Sequence, residues 1–335
     1  MLRWYTERVM ETNPGSIIDL VVDEETHRFK SYFLCFAACA YGYEVGCRPL
    51  IFLDGSHITD KMQGVILAAS ALNGNDELFT IAFAIADSET YENWKWFLNN
   101  LKKALLTERP TVFISDRAKG LKEAVPEIFP LDHHGYCLRH IKTNFMTEAA
   151  ARYRKALKDS MVKTLNKVAF ALNESEYVAA LTEMERKSPE AKDWILRNDV
   201  EHWTNTQFPG ERYMCHFDSM AKCTPNLAET FNAWIKPARG LPILQMVETI
   251  CRQIMEMGGR RRIEAANWET TLCPNIEKPP ITKRLPGRPR KKRIPSRGEA
   301  EHIYICSRCK QEGHNRRTFT SSLLPSFRTM RVVNI

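Results

Sequence analysis

Short apolar runs separated by turn residues dominate the chain between residues 31 and 138. Their lengths and their content of Val, Ile, Leu and Phe are typical of strands that are buried in a sheet. Asn73-Gly74-Asn75-Asp76 lies between two of these runs and favours a tight hairpin turn. The pattern predicts strands at 31–36, 49–53, 64–72, 78–86, 111–115 and 135–138.

Helical periodicity appears after the third long strand and again in the second half of the chain. A helix that opens at 88–92 carries a one-sided row of apolar residues: Trp94, Phe97, Leu98, Leu101 and Leu105. Helices are also predicted at 119–125, throughout 141–205 and from Leu227 onward, whereas residues 1–46 are predicted to be helical with one short strand. Three antiparallel strands followed by helix, strand, helix and strand predict an α/β fold with a mixed sheet.

Composition places few limits on this picture. The 335 residues suit one large domain or two modest ones, and no apolar run approaches the roughly 18 residues that a membrane helix needs. The first residues lack the apolar stretch of a secretory signal. The ten cysteines follow no regular framework, which predicts reduced thiols and an intracellular protein. The short apolar runs predict that it is not membrane-bound.

Positive charge is concentrated near the carboxyl terminus. Residues 278–298 carry a net charge of +9 and residues 299–335 carry +3, so the remainder of the chain is mildly acidic at −4. Residues 273–300 are rich in Pro, Lys and Arg, a composition typical of a disordered linker. A polyanionic partner is therefore expected to be drawn first to this tail.

One basic cluster in the tail has a more specific interpretation. The GRPRKKR stretch at 287–293 fits a nuclear import signal, and it also fits an arm that enters the minor groove of DNA. The third interpretation is a solvated linker. Import is favoured, which predicts a nuclear protein, and the candidate nucleic-acid-binding residues are Arg288, Arg290, Lys291, Lys292 and Arg293.

Three carboxylates lie at positions where chemistry could be expected. Asp54 and Asp116 close two apolar runs, and Glu229 lies near the start of the helix that resumes at Leu227. Each also has a structural explanation: Asp-Gly is a common turn pair, an aspartate after a strand can cap the next helix, and Glu229 follows Asn226 at capping-box spacing. From the residues alone, the structural explanations are favoured.

Eight stretches in a fixed order resemble the transposases of Mutator-like elements in plant genomes. They are ETNPGS (11–16), GCRP (46–49), LDGSH (53–57), GVILAA (64–69), ENWKWFL (92–98), SDRAKGL (115–121), YCLRH (136–140) and NLAETFN (226–232). The resemblance covers roughly residues 11–275. It implies a ribonuclease-H-like core with a mixed sheet and an all-helical insertion, followed here by a disordered basic tail.

The same resemblance implies that Asp54, Asp116 and Glu229 match the acidic triad of these enzymes. The triad would hold Mg²⁺ or Mn²⁺, because such ions need hard anionic oxygen ligands. The implied reaction is cleavage and transfer of DNA strands by a two-metal mechanism, with transposon terminal repeats as the DNA partner. Self-association is compatible with the resemblance.

Departures from the family pattern open alternatives. The sequence lacks the usual amino-terminal DNA-binding region and the CxC…CxH zinc module near 271–284, and 222–226 is about three residues shorter than usual. A truncated transposase is the first interpretation. The alternatives are a domesticated, non-catalytic nuclear DNA-binding regulator and a decaying element product. A simple ribonuclease-H-type nuclease is disfavoured, since it does not need so long a helical insertion.

Two cysteine–histidine patterns could bind zinc. Cys137-x2-His140 supplies half a zinc site, for which Cys215, His216 and Cys223 are possible additional donors; a buried thiol and a hydrogen-bonded imidazole are the alternative. Cys306, Cys309 and His314 match three ligands of a zinc knuckle, but Phe319 stands where the fourth is expected, so the knuckle is degenerate.

These observations predict six segments. They are an amino-terminal flank at 1–46, a ribonuclease-H-like core at 47–140, a helical insertion at 141–222, core helices at 223–272 with the third acidic residue, a basic linker at 273–300 and the degenerate knuckle with its tail at 301–335.

Overall fold

The computed structural model describes residues 1–59, 63–105, 109–209, 227–270 and 273–274. Its strands are β1 (Ile17–Val22), β2 (Phe29–Cys35), β3 (Leu50–His57), β4 (Val65–Leu72), β5 (Leu78–Ala86), β6 (Val112–Ser115) and β7 (His133–Tyr136). Its helices are α1 (Leu2–Thr12), α2 (Ala37–Gly46), α3 (Tyr91–Ala104), α4 (Lys119–Ile128), α5 (Leu138–Thr147), α6 (Lys155–Phe170), α7 (Glu174–Lys187), α8 (Pro189–Leu196), α9 (Leu227–Trp234) and α10 (Ile243–Ala266), with a 3₁₀ turn at Val200–His202.

All seven strands form one mixed sheet in the order β1-β2-β5-β4-β3-β6-β7. The pairs from β1 to β3 are antiparallel, whereas β3, β6 and β7 run parallel to one another. Parallel neighbours need a crossover connection. The connection from β3 to β6 passes through β4, β5 and α3, and α4 connects β6 to β7. The predicted α/β fold with a mixed sheet is confirmed.

Apolar side chains cover both faces of the sheet. One core contains Ile51, Leu53 and Phe113 with the apolar sides of α3 and α4. The other contains Phe52 and Ile114 with residues of α5 to α10. Because neighbouring residues in a strand point to opposite faces, the first four residues of β3 and the first three of β6 are all apolar rather than alternating.

The strand predictions were wrong in three places. β1 was not predicted, because its Asp19 interrupts a short apolar run in a segment interpreted as helical. β7 lies at His133–Tyr136 rather than 135–138, since its two histidines gave no strand signal and Leu138 begins α5. β3 continues past Leu53: Asp54 pairs with Ala68, so the Asp-Gly pair is part of a strand and not a turn.

The helical insertion is stabilised by local polar contacts as well as by its apolar face. Asn173 Oδ1 accepts a hydrogen bond from the Glu176 backbone N–H at 2.9 Å, and the Glu176 carboxylate accepts one from Leu172 N–H at 3.0 Å, which begins α7 as a capping box. Between α6 and α7, Thr164 donates to Glu183 at 2.8 Å.

Gly120 allows the first turn of α4 to lie directly against the start of α3. A Cβ atom at position 120 would lie 2.8 Å from the Tyr91 backbone nitrogen, which is too close for any side chain. The glycine of the SDRAKGL stretch therefore fixes the approach of α4 to α3, and with it the position of the loop between β6 and α4. Among the described helices, none is both long and apolar enough to cross a lipid bilayer.

Candidate active site

Two of the predicted acidic residues lie side by side on neighbouring parallel strands. Phe52 of β3 is in register with Ile114 of β6, so the positions two residues later, Asp54 and Asp116, lie at the same level. Two residues before each aspartate is a strand residue, Phe52 or Ile114, whose side chain belongs to the core shared with α5 to α10. Because alternate residues of a strand point to the same face, the two carboxylates are directed to that face. The sheet register therefore brings together residues that are far apart in sequence.

Asp54 is half-buried and has one amide partner. Asn232 Nδ2, on α9, donates to Asp54 Oδ2 at 2.6 Å. Burial raises the pKa of Asp54 to about 7; the Asn232 hydrogen bond opposes this increase, and the charges of Asp116 and Glu89 add to it. The ionised carboxylate is thus costly unless a cation offsets its charge.

Glu89 is a third described carboxylate near this site, and it was not among the predicted site residues. Its carboxylate lies against the Gly55 backbone, where an added Cβ atom would be 2.8 Å from Glu89 Cδ. Trp94 Nε1 donates to Glu89 Oε1 at 3.2 Å. Loss of hydration and the Asp116 charge raise the pKa of Glu89, while the Trp94 hydrogen bond opposes the increase.

Glu89 had no distinctive signal in the sequence. Ser88, Glu89 and Thr90 precede α3, and such residues are expected at a helix start whatever their function. The structure gives the capping role to Thr90, whose hydroxyl accepts from Asn93 N–H at 3.3 Å. This leaves the Glu89 side chain directed at Gly55.

Asp116 also stabilises its own loop. Asp116 Oδ1 accepts from the Ala118 backbone N–H at 3.0 Å, as expected for an aspartate that precedes a helix. The preceding Ser115 donates its hydroxyl to the Asp116 carbonyl at 2.6 Å, and its Oγ lies 2.8 Å from His134 Nε2. The N-cap residue of α4 is Ala118, so Asp116 stabilises the turn before this helix and does not cap it. The second oxygen of the Asp116 carboxylate is not used in the Ala118 contact.

His134 supports this loop as a neutral side chain. Burial lowers the pKa of His134 to about 3, so its imidazole stays uncharged at physiological pH. It is 8% exposed on β7 and reaches Ser115 across the pair of strands. Its role could not be predicted from the sequence, because the two adjacent histidines belong to a strand that gave no apolar signal.

Cys137 and His140 lie beside the carboxylates rather than apart from them. Cys137 follows β7 at the level of Asp116, because Cys137 N–H donates to the Ser115 carbonyl at 2.7 Å. Burial raises the pKa of the Cys137 thiol, and the Asp54 charge adds to the increase. Burial lowers the pKa of His140 despite the nearby Asp116 charge, and His140 Nδ1 is buried without a hydrogen-bond partner.

Glu229 lies on α9, but its side chain is outside the part of the chain that the structure describes. Its backbone position is informative. Asn232 lies three residues later on the same helix and contacts Asp54, and residues three apart on a helix occupy neighbouring parts of its surface. The helix that carries Glu229 thus packs against the strand that carries Asp54.

The remaining predicted sites cannot be placed. Cys215, His216 and Cys223, the knuckle residues Cys306, Cys309 and His314, and the basic residues Arg288, Arg290, Lys291, Lys292 and Arg293 all lie outside the described residues. Both zinc predictions therefore stay predictions.

The described donors fit a divalent cation in kind but not yet in number. Asp54 and Asp116 supply hard anionic oxygens at one level of the sheet. The Asp116 charge raises the pKa of Asp54, so a second negative charge at this level is costly. In the part of the chain that the structure describes, no three His, Cys, Asp or Glu side chains are grouped closely enough to hold a metal ion. A third ligand would have to come from Glu229 or from movement of Glu89.

Comparison with known proteins shows that part of this chain is similar to transposases. Residues 50–144, which contain Asp54, Asp116, Cys137 and His140, match the MULE transposase domain family. The transposase for insertion sequence element IS1201 of Lactobacillus helveticus is 25% identical over 214 residues, covering 59% of this chain and 54% of that protein. Residues 50–144 are therefore similar to a transposase domain.

Two further relatives are similar over shorter parts of their lengths. Protein FAR1-RELATED SEQUENCE 6 of Arabidopsis thaliana is 25% identical over 175 residues, which are 50% of this chain and 24% of that protein. A PKS-NRPS hybrid synthetase, cheA, of Chaetomium globosum is 21% identical over 154 residues, 3% of its length. Matches thus span about half or less of each relative. The resemblance to Mutator-like transposases is confirmed by the MULE domain.

Proposed function

We propose that this protein is a transposase-type enzyme that cleaves DNA strands and transfers their ends with the help of divalent cations. The observation that supports this most directly is the shared level of Asp54 and Asp116 on parallel strands inside the segment matching the MULE transposase domain. Carboxylates that lie side by side on neighbouring strands supply the hard anionic oxygens that divalent cations prefer. Elsewhere in a fold, the same arrangement would only cost stability.

The sheet also supports the ribonuclease-H-like part of the proposal. The five strands β5-β4-β3-β6-β7 comprise an antiparallel set of three followed by two parallel strands. The helices α3 and α4 cover one face. This is the order that the family resemblance leads us to expect, and β1 with β2 extends it at the antiparallel edge.

In this proposal, Asp54, Asp116 and Glu229 would hold Mg²⁺ or Mn²⁺. When bound, such ions would activate the attacking water or 3′-hydroxyl and stabilise the leaving oxygen. Asn232 orients Asp54 by donating to one carboxylate oxygen, which leaves the other oxygen free to bind. The Ala118 N–H does the same for Asp116. These hydrogen bonds help to select the rotamer of each aspartate.

His140 is the side chain best placed to contact the DNA backbone beside these carboxylates. Because burial lowers its pKa, the imidazole is neutral and one ring nitrogen carries a proton that it can donate. Its Nδ1 is buried and has no hydrogen-bond partner among the described residues, so the contact with DNA would be made by Nε2. The Cys137-x2-His140 pair would then act through hydrogen bonding at the active site rather than as half a zinc site.

The direct test is nicking of a supercoiled plasmid that bears the terminal repeats flanking the coding sequence. Purified protein is expected to nick it with Mg²⁺ or Mn²⁺ and not with a chelator. Asp54→Asn and Asp116→Asn should each lower the rate by about a hundredfold or more, because each removes a charged metal ligand. Asp159→Asn is the matched control, since Asp159 is exposed on α6. Equal activity of all four proteins would refute the assigned site.

A second candidate function is a DNA-binding regulator that has lost catalysis. It is favoured by the similarity to a plant protein whose name is not that of a transposase, Protein FAR1-RELATED SEQUENCE 6. The expected result is then sequence-specific DNA binding that is independent of divalent cations and unchanged in Asp54→Asn. Nuclear localisation belongs to both proposals, and it is supported by the basic stretch at 287–293.

A further inference from the structure

The segment after α8 contacts the β6–α4 loop from two sides. Here the term 198–202 clamp denotes Asn198, Asp199 and His202, which lie at the end of the helical insertion. The clamp reaches Arg117 and Lys122 on one side of the loop, and it reaches β7 on the other. Asp116 lies between these two sets of contacts.

Arg117 forms the first contact. Its Nη1 donates to Asn198 Oδ1, and its guanidinium lies over the Trp194 ring at 5.9 Å from the ring centroid. Asn198 is itself held, because its backbone carbonyl accepts from Trp203 Nε1 at 2.7 Å. Trp203 is fully buried. The Arg117 side chain, next to Asp116 in the sequence, thus contacts a part of the insertion that is held by a buried residue.

His202 forms the second contact. Its Nδ1 donates to the His134 carbonyl at 2.7 Å, and its ring stacks on Tyr136 at 4.5 Å between centroids. His134 in turn contacts Ser115 Oγ at 2.8 Å. The residue before Asp116 is therefore connected to the clamp through His134.

Lys122 forms a weaker third contact. Its Nζ lies 2.8 Å from Asp199 Oδ2, but both side chains are more than a third exposed. Exposed ion pairs add little stability. The Arg117 and His202 contacts are the ones that constrain the loop.

We propose that the 198–202 clamp positions Asp116 for metal binding, and that Arg117 is the positioning residue through which it acts. This inference rests on the proposed function and deepens it. Residues on both sides of Asp116 are held by the insertion, whereas Ala118 N–H is the hydrogen-bond donor to the carboxylate itself in the described part of the chain. The clamp supplies the orientation that an outer-shell partner gives to a metal ligand. The helical insertion thereby belongs to the active site.

The test is the affinity for Mn²⁺, measured by titration calorimetry on the full chain. Arg117→Ala and Asn198→Ala should each weaken Mn²⁺ binding by roughly 10- to 100-fold, the usual effect of losing an outer-shell partner. Lys167→Ala breaks the Lys167–Glu183 ion pair of the insertion at 2.6 Å and is the matched control.

Thermal unfolding without metal separates positioning from misfolding. The proposal is supported if Asn198→Ala melts within a few degrees of Lys167→Ala while only Asn198→Ala loses Mn²⁺ affinity. It is overturned if Asn198→Ala binds Mn²⁺ like wild type while Asp116→Asn does not, a result that leaves the proposed function standing. Failure of wild type to bind Mn²⁺ overturns both.

Discussion

At the scale of single residues, Asp54 lowers folding stability when it is ionised, and its proposed role as a metal ligand requires the ionised form. It is half-buried between an amide donor and two other negative charges, from Asp116 and Glu89. A carboxyl with a pKa of about 7 ionises only at a cost in folding free energy at neutral pH. Such a cost is expected where a bound cation normally offsets it.

Asp54→Asn is therefore expected to stabilise the metal-free protein. On folding, the pKa of Asp54 rises from 3.8 to about 7, so the folded state binds the proton more tightly than the unfolded state does. Stability from this group is then lost as pH rises from about 4 to about 7 and stays low above that range. At pH 8 the variant should gain on the order of 2 to 4 kcal/mol in urea unfolding, and at pH 4 almost nothing.

Asp159→Asn is the control for this prediction, because it removes a carboxylate that is exposed on α6. Its free energy of unfolding should follow wild type at every pH. A gain from Asp54→Asn that did not change between pH 4 and pH 8 would contradict the raised pKa. So would a loss of stability at pH 8.

At the scale of elements, α9 and the segment after it are fastened to β3 by polar contacts at several points. Asn232 donates to Asp54, and Arg239 Nε donates to the His57 carbonyl at 2.7 Å. The Arg239 carbonyl accepts from Thr59 N–H at 2.9 Å. Phe231 and Ile235 anchor the same stretch in the core. The helix that carries Glu229 is thus held over the sheet by contacts at Asp54 and at the residues that follow it.

Asn232→Ala tests this connection. Loss of its amide should destabilise the protein by about 1 kcal/mol, the usual net value of one hydrogen bond. It should also raise the pKa of Asp54 further, because that hydrogen bond favours the ionised carboxylate. The pH dependence of unfolding free energy would then extend to higher pH than in wild type.

The control is Asn99→Ala. Asn99 Nδ2 donates to the Lys95 carbonyl on the exposed side of α3, far from any carboxylate of the site. It should change stability by a few tenths of a kcal/mol, as most surface substitutions do, and leave the pH dependence unchanged. If both variants shifted the pH dependence alike, the Asn232–Asp54 bond would not be its cause.

At the scale of the whole molecule, the first 46 residues contribute two strands, β1 and β2, to the sheet. β2 pairs with β5, and β1 pairs with β2 at the edge of the sheet. Asp19 on β1 accepts from Trp96 Nε1 at 2.8 Å and from Asn100 Nδ2 at 3.0 Å, which ties the edge to α3. The residues predicted as a separate flank therefore complete the sheet rather than precede it.

A chain that starts at residue 47 is expected to aggregate. It would expose the hydrogen-bonding edge of β5 and remove Phe33, which is fully buried against Trp96 and Phe97. A chain that starts at residue 14 keeps both strands and should stay soluble. Size-exclusion chromatography of the two proteins at equal concentration distinguishes them. A monodisperse protein starting at residue 47 would show that the predicted boundary is a true domain boundary.

Some of this protein was readable from local pattern. Apolar run length predicted β4 and β5 nearly to the residue, and the one-sided row from Trp94 to Leu101 predicted the buried face of α3. The position of Asp116 after a strand followed from the same signal. These features depend on side-chain period and on turn residues, which act between neighbours in sequence.

What the residues alone determined was the set of elements and the identity of the acidic candidates. Tertiary structure decided which of them meet. The parallel register of β3 and β6 places Asp54 beside Asp116, the turn before α3 directs Glu89 at Gly55, and α9 brings Asn232 to Asp54. Strand register and helix packing are set by contacts between distant residues, and no local pattern contains them. The sequence around each candidate indicated its chemistry, but only the tertiary structure showed which candidates lie close together.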